Sequence, residues 1–153
     1  MHSLAACGCG VDVHAHVIPH DFPAYLGGAA PAGWPAMAPA HACHRHVMID
    51  GKNYRTVSDK CWSVSKRLAD FDEMGLGLQA ISPMPELLSY WLAPAVGAQL
   101  VRYLNEQIAL MVSESSGRLV GLGAVPLQDM DLALKELQQL YWSEEDMQVR
   151  GRL

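Results

Sequence analysis

The sequence predicts an α/β fold with a parallel sheet, because short apolar runs alternate with segments of helical period. The apolar runs are continuous, which is typical of strands that helices cover. Doubly wound sheets and barrels both match this order. The chain has 153 residues, and the three strand–helix units that it predicts cannot close an eight-stranded barrel, which takes about 250 residues.

The first part of the chain predicts one strand, a long excursion and a hairpin. The strand lies near residues 10–13. Residues 17–46 are rich in Pro, Gly and Ala without a sustained period, so we expect a segment there that lacks regular structure. Asp50-Gly51 divides residues 47–57 into two short runs, and Asp-Gly in that position indicates the turn of a β-hairpin.

Three helices follow from the spacing of apolar residues. Their apolar stripes are Val64, Leu68, Phe71 and Met74, then Val101, Leu104, Ile108, Met111 and Val112, and finally Leu132, Ala133, Leu137 and Leu140. Gly75 and Ser116-Gly117 are natural ends for the first two helices, and Asp129 is a candidate N-cap for the third.

Two buried strands separate these helices. Residues 78–82 and 119–125 are apolar runs that a proline closes, and residues 86–91 predict a short turn of helix. The order is therefore strand, excursion, helix, strand, helix, strand, helix. Consecutive units of this kind place their strands side by side in one sheet.

Composition excludes several classes of protein. Half of the residues are apolar and 18% are charged, which is ordinary for a globular domain. The net charge of -5 argues against a nucleic-acid or anionic-membrane surface, and no apolar run approaches the roughly 20 residues of a membrane helix. Cys7, Cys9, Cys43 and Cys61 match no zinc-finger spacing, so we expect reduced thiols in a cytoplasmic protein.

A candidate metal-binding pair follows the first strand. His14 and His16 are two residues apart, and side chains at i and i+2 of a strand point to the same face. Sites in parallel α/β folds collect at the carboxyl ends of strands, and imidazole binds zinc and similar ions. By itself an HxH motif is a weak signal, and surface histidines are the alternative. Asp12 is expected to make a structural hydrogen bond rather than to bind metal.

Six segments in order resemble one family. VDVHAHVIP at residues 11–19 resembles the opening motif of the amidohydrolase superfamily. Five segments further along the chain are similar to its aminocarboxymuconate semialdehyde decarboxylase group, and these are GKNYR at 51–55, RLADFDEMG at 67–75, QAISPMP at 79–85, NEQIA at 105–109 and GLGAVPLQD at 121–129.

The resemblance implies a metal-dependent (β/α)8 TIM barrel with one metal ion, usually zinc. His14 and His16 match the first two ligands. Arg55 matches an arginine that binds a substrate carboxylate, and a guanidinium can pair with a carboxylate at two positions. The implied activity is non-oxidative decarboxylation of a small-molecule carboxylate in tryptophan catabolism. The same scaffold also supports hydrolases and hydratases, because fold does not determine function.

The resemblance covers residues 10–140 only. Residues 1–9 are expected to be a loose N-terminus and residues 141–153 a divergent tail. No histidine follows His46, whereas the family takes further ligands from later strands, so we expect an incomplete barrel from a truncated gene product that is inactive alone. The non-enzymatic alternative is a partial barrel that forms a homodimer or binds a full-length relative through its uncovered strand edge.

Other residues with potential chemistry have simpler interpretations. His41, Cys43, His44 and His46 form a dense group that could recruit a metal, although a flexible polar loop is the preferred interpretation. His20 is expected in a loop. Met84, Tyr90 and Trp91 follow the second strand, where they could line a substrate pocket, and packing in the core or a lid is the alternative.

Overall fold

The computed structural model describes residues 10–150, and it describes the side chains of residues 10–140. Its elements in chain order are β1 Gly10–Val17, β2 Ala36–Pro39, β3 His44–Ile49, β4 Lys52–Ser58, α1 Val64–Met74, β5 Leu76–Pro83, α2 Pro94–Glu114, β6 Leu119–Gly121 and α3 Met130–Arg150. Two short 3₁₀ turns, Asp59–Cys61 and Pro85–Leu88, precede α1 and follow β5. The expectation for residues 1–9 lies outside the described residues.

A parallel sheet forms the centre of the molecule. Its strand order is β1-β5-β6, and both pairings are parallel. Each of these strands leads to a helix along the chain, which confirms the prediction of an α/β fold with a parallel sheet. α1 and α2 cover one face of the sheet through a buried cluster of Val17, Val64, Phe71, Ile81, Ile108, Met111 and Leu119.

The pairing between β1 and β5 shifts register twice, and the second shift, next to the histidines, adds one residue to β1. Asp12 lies opposite Gln79, whereas Ala15 lies opposite Ile81, so β1 uses three steps where β5 uses two. Such an extra residue leaves the ladder locally unpaired. Beyond the shift, Ala15 packs against the cluster under the helices, and His16, opposite Ser82, faces the other side of the sheet.

The excursion between β1 and α1 contains a second sheet. β2, β3 and β4 are antiparallel, and the predicted hairpin turn is present at Asp50 and Gly51, whose φ angles are 52° and 71°. The expectation that residues 17–46 lack regular structure is therefore wrong for β2 and for the start of β3. Pairing with β3 forms β2 although its Ala- and Pro-containing sequence has little strand propensity.

The hairpin packs against the end of the parallel sheet. Val47 and Val57 are buried against residues of α2 and of the Pro85–Leu88 turn, in a cluster that also contains Ile18, Met84, Leu87, Leu92, Leu100 and Leu104. This packing places β4 beside the chain that leaves the carboxyl end of β5. Side chains of β4 therefore come close to that end of the sheet.

The helix boundaries agree with the sequence signals. α1 ends at Gly75, which adopts the left-handed conformation with a φ of 68°. α2 ends at Glu114 with Ser115 as its C-cap, directly before the predicted stop at Ser116-Gly117. The Asp129 carboxylate accepts a hydrogen bond from the Leu132 N–H at 3.0 Å, which confirms the predicted N-cap of α3. The helical turn predicted for residues 86–91 is the Pro85–Leu88 turn.

The third parallel strand is shorter than expected. The run 119–125 predicts a strand, but only Leu119–Gly121 pair as β6. The Asn105 side chain of α2 occupies the place of a neighbouring strand beyond that point. Its Nδ2 donates to the Ala124 carbonyl at 2.9 Å, and its Oδ1 accepts from the Ala124 N–H at 2.8 Å. The buried amide thus satisfies both backbone groups.

The last helix extends beyond the predicted domain limit. The backbone of residues 141–150 continues α3 without a break, although these residues are the start of the expected divergent tail. Residues 151–153 lie outside the described part of the chain. In that described part, no helix combines the length and the hydropathy that crossing a membrane requires.

Candidate metal and carboxylate site

The two predicted ligands converge at the end of β1. The Nε2 atoms of His14 and His16 are 3.1 Å apart, and their rings are nearly perpendicular with centroids 4.9 Å apart. His14 is exposed and His16 is half-buried. Both side chains extend from the same face of β1, as the i, i+2 spacing predicts.

The other nitrogen of His16 holds the ring in place. Its Nδ1 lies 3.1 Å from the Pro83 carbonyl and 3.0 Å from the Ser82 hydroxyl at the end of β5. A carbonyl can only accept, so this geometry favours the tautomer in which Nδ1 carries the proton and Nε2 carries the lone pair. A histidine that binds a metal through Nε2 is usually oriented in this way.

The pair matches the geometry of two ligands on one tetrahedral ion. Two nitrogens at zinc–nitrogen distances of about 2.0–2.1 Å are about 3.3 Å apart at the tetrahedral angle, close to the observed 3.1 Å. Residues 10–140 contain no group of three or more His, Cys, Asp or Glu side chains placed to hold a metal. The described residues therefore provide two ligands, where a catalytic zinc site uses three and water.

A hydrogen-bonded relay lies on the helix side of the pair. Asp12 accepts from the His14 N–H at 3.0 Å and from Gln79 Nε2 at 2.7 Å, which confirms its structural role. These two bonds lower the pKa of Asp12, the bond from the His14 N–H most. Gln79 in turn accepts from Arg67, whose other nitrogen reaches the His16 carbonyl. Sequence inspection missed Arg67 and Gln79, because no motif pairs them with the histidines.

Arg55 lies on β4 beside the chain that follows β5. Its Nη2 is 3.8 Å from Glu86 Oε1, and its side chain is 56% exposed, so the guanidinium remains accessible. The Tyr54 hydroxyl donates to the same Glu86 oxygen at 2.8 Å. The pKa of Glu86 is lowered by its own backbone N–H first, then by Tyr54, and more weakly by the charge of Arg55. Glu86, which the sequence did not indicate, therefore joins β4 to the chain that follows β5.

The second histidine-rich group is part of the hairpin sheet. His44 and His46 belong to β3, so the expectation of a loop is wrong for these two residues. His41 and Cys43 lie in the turn that precedes β3. The His41 and His44 rings stack with centroids 4.5 Å apart, and His46 Nδ1 contacts the Thr56 hydroxyl at 2.8 Å. Residues 41–46 are among the described residues, which contain no group of three or more His, Cys, Asp or Glu side chains placed to hold a metal.

The remaining candidates are separated from the histidine pair. Met84 is buried in the core, while Tyr90 and Trp91 are exposed, so the three side chains do not line one pocket. His20 is an exposed loop residue, as expected, and its ring contacts Trp62 edge-on at 5.7 Å. His20 and Trp62 also line a cavity of about 70 Å³, together with Leu104 and Ile108 of α2. This cavity lies on the helix side of the sheet.

Comparison with known sequences identifies relatives of one kind. The chain is 31% identical over 129 residues to 2-amino-3-carboxymuconate-6-semialdehyde decarboxylase of Dictyostelium discoideum, covering 84% of this chain and 36% of that protein. It is 30% identical over 125 residues to the Caenorhabditis elegans protein of the same name, covering 82% and 31%. The chain thus spans about a third of the length of these relatives. No family model matches it.

Comparison with solved structures shows the same fold. The crystal structure of Metarhizium anisopliae IDCase in apo form matches with a TM-score of 0.60 at 16% identity, over 84% of this chain and 38% of that one. At this low identity, the match shows a similar fold and does not indicate an activity. Together with the two decarboxylase relatives, it supports the superfamily resemblance that the motifs predicted.

Proposed function

We propose that this chain provides the first three strand–helix units of a metal-dependent carboxy-lyase that acts on an aminocarboxymuconate-type semialdehyde. The observation that carries the proposal is the convergence of His14 and His16 on one point, with the His16 ring oriented by Pro83. The names of the two relatives supply the substrate class. The resemblance of the sequence motifs to this family implies a place in tryptophan catabolism.

Zinc is the metal that we propose for the histidine pair. His14 and His16 would bind it through Nε2, and Ser82 and Pro83 would keep the His16 ring in the binding tautomer. When bound, such an ion lowers the pKa of a coordinated water to about 7 and so supplies hydroxide at neutral pH. One further protein ligand has to come from outside residues 10–140.

Arg55 is the proposed binding group for a substrate carboxylate. Its guanidinium is more than half exposed, and its contact with Glu86 at 3.8 Å is too long for a strong hydrogen bond. A substrate carboxylate could therefore form the bidentate pair that Glu86 does not form. The Tyr54 hydroxyl holds Glu86 and leaves the outer side of Arg55 open.

Metal binding tests the first part of this proposal. We expect the chain alone to bind Zn²⁺ weakly at most in isothermal titration calorimetry, because residues 10–140 supply two ligands. We expect His14→Gln and His16→Gln each to remove most of that binding. His44→Gln is the matched control, because it removes an imidazole from the hairpin sheet. Binding that persists in both variants and falls in the control would place the metal elsewhere.

A chimaera tests the reaction. Residues 10–140 would replace the aligned segment of the Dictyostelium relative, which supplies the rest of the polypeptide. We expect carbon dioxide release that requires His14, His16 and Arg55 but not His20. Hydrolysis or hydration products without carbon dioxide would favour the alternative amidohydrolase activities. The 153-residue chain alone should release no carbon dioxide above a free-zinc control, because residues 10–140 supply two ligands.

A further inference from the structure

We infer that Arg67 of α1 is a positioning residue, which fixes the backbone of both histidines from the helix side of the sheet. Its Nη2 donates to the His16 carbonyl at 3.2 Å. Its Nη1 donates to Gln79 Oε1 at 2.6 Å. One guanidinium thus holds His16 directly and begins a relay toward His14.

The relay ends on the backbone of His14. Gln79 Nε2 donates to Asp12 Oδ2 at 2.7 Å, and Asp12 Oδ1 accepts from the His14 N–H at 3.0 Å. In each hydrogen bond of this relay, only one of the two groups can be the donor. Arginine can only donate, so the amide oxygen of Gln79 has to face it, and the amide nitrogen then faces the Asp12 carboxylate, which can only accept.

The sheet itself does not hold this part of β1. The pairing with β5 skips from Asp12 to Ala15, so Val13 and His14 have no partner residue in the ladder. The backbone of His14 is therefore fixed by the Asp12 side chain, where an ordinary strand residue would be fixed by its neighbour strand. The relay therefore ends at His14, inside the part of β1 that the register shift leaves without a partner.

The burial of Arg67 is costly if packing is its only role. Its Nε is buried and has no hydrogen-bond partner among the described residues. A well-packed apolar side chain often replaces a buried charge without loss of stability. A buried donor without a partner, such as Arg67 Nε, is rare in native proteins and needs an explanation. The positioning of His14 and His16 by the other two guanidinium nitrogens provides that explanation.

The inference rests on the proposed metal role of the pair, so its test needs a readout that does not depend on metal. Arg67→Met removes both bonds. Gln79→Glu keeps the side-chain volume, still accepts from Arg67, and repels the Asp12 carboxylate, so it cuts the relay to His14 alone. Arg118→Met is the matched control, since Arg118 also ties a helix to the sheet, through Asp72 and the Leu76 carbonyl, away from the histidines.

Two measurements follow on each purified full chain. Long-range ¹H–¹⁵N spectra of the metal-free protein report the ring nitrogens of His14 and His16. Titration with Co²⁺ reports the affinity of the pair. We expect Arg67→Met to move both histidine signals and to weaken Co²⁺ binding about tenfold or more. Gln79→Glu should move the His14 signals more than the His16 signals, and Arg118→Met should change neither signals nor affinity while lowering Tm.

The outcomes separate this inference from the proposed function. If the unaltered chain binds no Co²⁺, the proposed metal site fails, and the metal-free spectra still decide the role of Arg67. If Arg67→Met fails to fold, Gln79→Glu carries the test. Histidine signals that stay unchanged in Gln79→Glu, or that move equally in Arg118→Met, would overturn the positioning role.

Discussion

Glu86 joins Tyr54 and Arg55 to the chain that follows β5, and its pKa makes this contact sensitive to acid. The folded state lowers the pKa of Glu86 below its ordinary 4.5, with its own backbone N–H and the Tyr54 hydroxyl as the main causes. A lowered carboxyl pKa contributes stability above the unfolded-state value, and that contribution is lost as the pH falls through the lower folded-state value.

We therefore expect Tyr54→Phe to lower the Tm at neutral pH by more than it does in acid. The difference from the unaltered chain should persist at pH 4.5 and disappear below the folded-state pKa of Glu86. Tyr90→Phe is the control, because the described residues give its hydroxyl no hydrogen bond. Thermal melts over this range measure the difference, and a Tyr54→Phe effect that is constant with pH would contradict the expectation.

The two described cysteines should differ in reactivity. Cys43 is exposed, whereas Cys61 is half-buried, and burial raises the pKa of the Cys61 thiol. The thiolate is the reactive form, so less of Cys61 is reactive at a given pH. We expect iodoacetamide at pH 7.5 to label Cys43 well before Cys61, as followed by peptide mass spectrometry. Equal labelling rates would show that Cys61 is more accessible than the fold indicates.

The sequence indicates those site residues whose signal is local. His14 and His16 are two residues apart, and strand geometry alone brings their side chains to one face. Gln79 contacts Asp12 across 67 residues, and Arg67 contacts the His16 carbonyl across 51. Such pairs exist only after the strands have paired and α1 has packed on them. No local pattern could have indicated them, nor the contact of Glu86 with Tyr54 and Arg55.

At the scale of the element, the end of α1 depends on the positive φ angle of one glycine, Gly75. Gly75 has a φ of 68°, and a Cβ built there would have no atom within 4 Å. Any cost of substitution is therefore conformational rather than steric. We expect Gly75→Ala to lower the free energy of unfolding by about 1 kcal/mol, and Gly75→Asn by less, because asparagine tolerates this region. Urea denaturation measures both, and equal losses would contradict the explanation.

The sequence predicts the helices, because their apolar period extends over several turns. It does not predict the extent of strands that form only where a partner strand is available. α1 and α2 repeat their apolar stripe over three turns or more, so their existence follows from the sequence, and glycine or serine signals give their C-terminal ends. β2 has no such signal and exists because β3 provides a partner strand. β6 is shorter than its apolar run because the Asn105 side chain takes over the pairing at Ala124.

At the scale of the molecule, the face of the parallel sheet opposite the helices carries exposed apolar side chains. Val120 alternates with the buried Leu119 and is 45% exposed, while Val11 is 59% exposed. In the described residues, β1 and β6 each pair with β5 alone, so each has a free edge. Uncovered strand edges and apolar surface of this kind promote association.

We expect the purified chain to associate in a concentration-dependent way, as measured by size-exclusion chromatography with light scattering. Val120→Glu should reduce the association, because it places a charge on the uncovered face. Leu26→Glu is the control, since Leu26 is 88% exposed but lies in the excursion. A monomer at all concentrations would argue that the face is sufficiently polar by itself.

The extra residue in β1 also matters for comparing this protein with others. The pairs Asp12–Gln79 and Ala15–Ile81 are already in place on either side of it, so a chain lacking one residue between them would keep every other pair. Gain or loss of a residue is usually disruptive inside a strand, and here it would be nearly neutral for the sheet. A relative that lacks one residue between Asp12 and Ala15 could therefore keep this sheet, so an alignment of the region has to allow a gap within the strand.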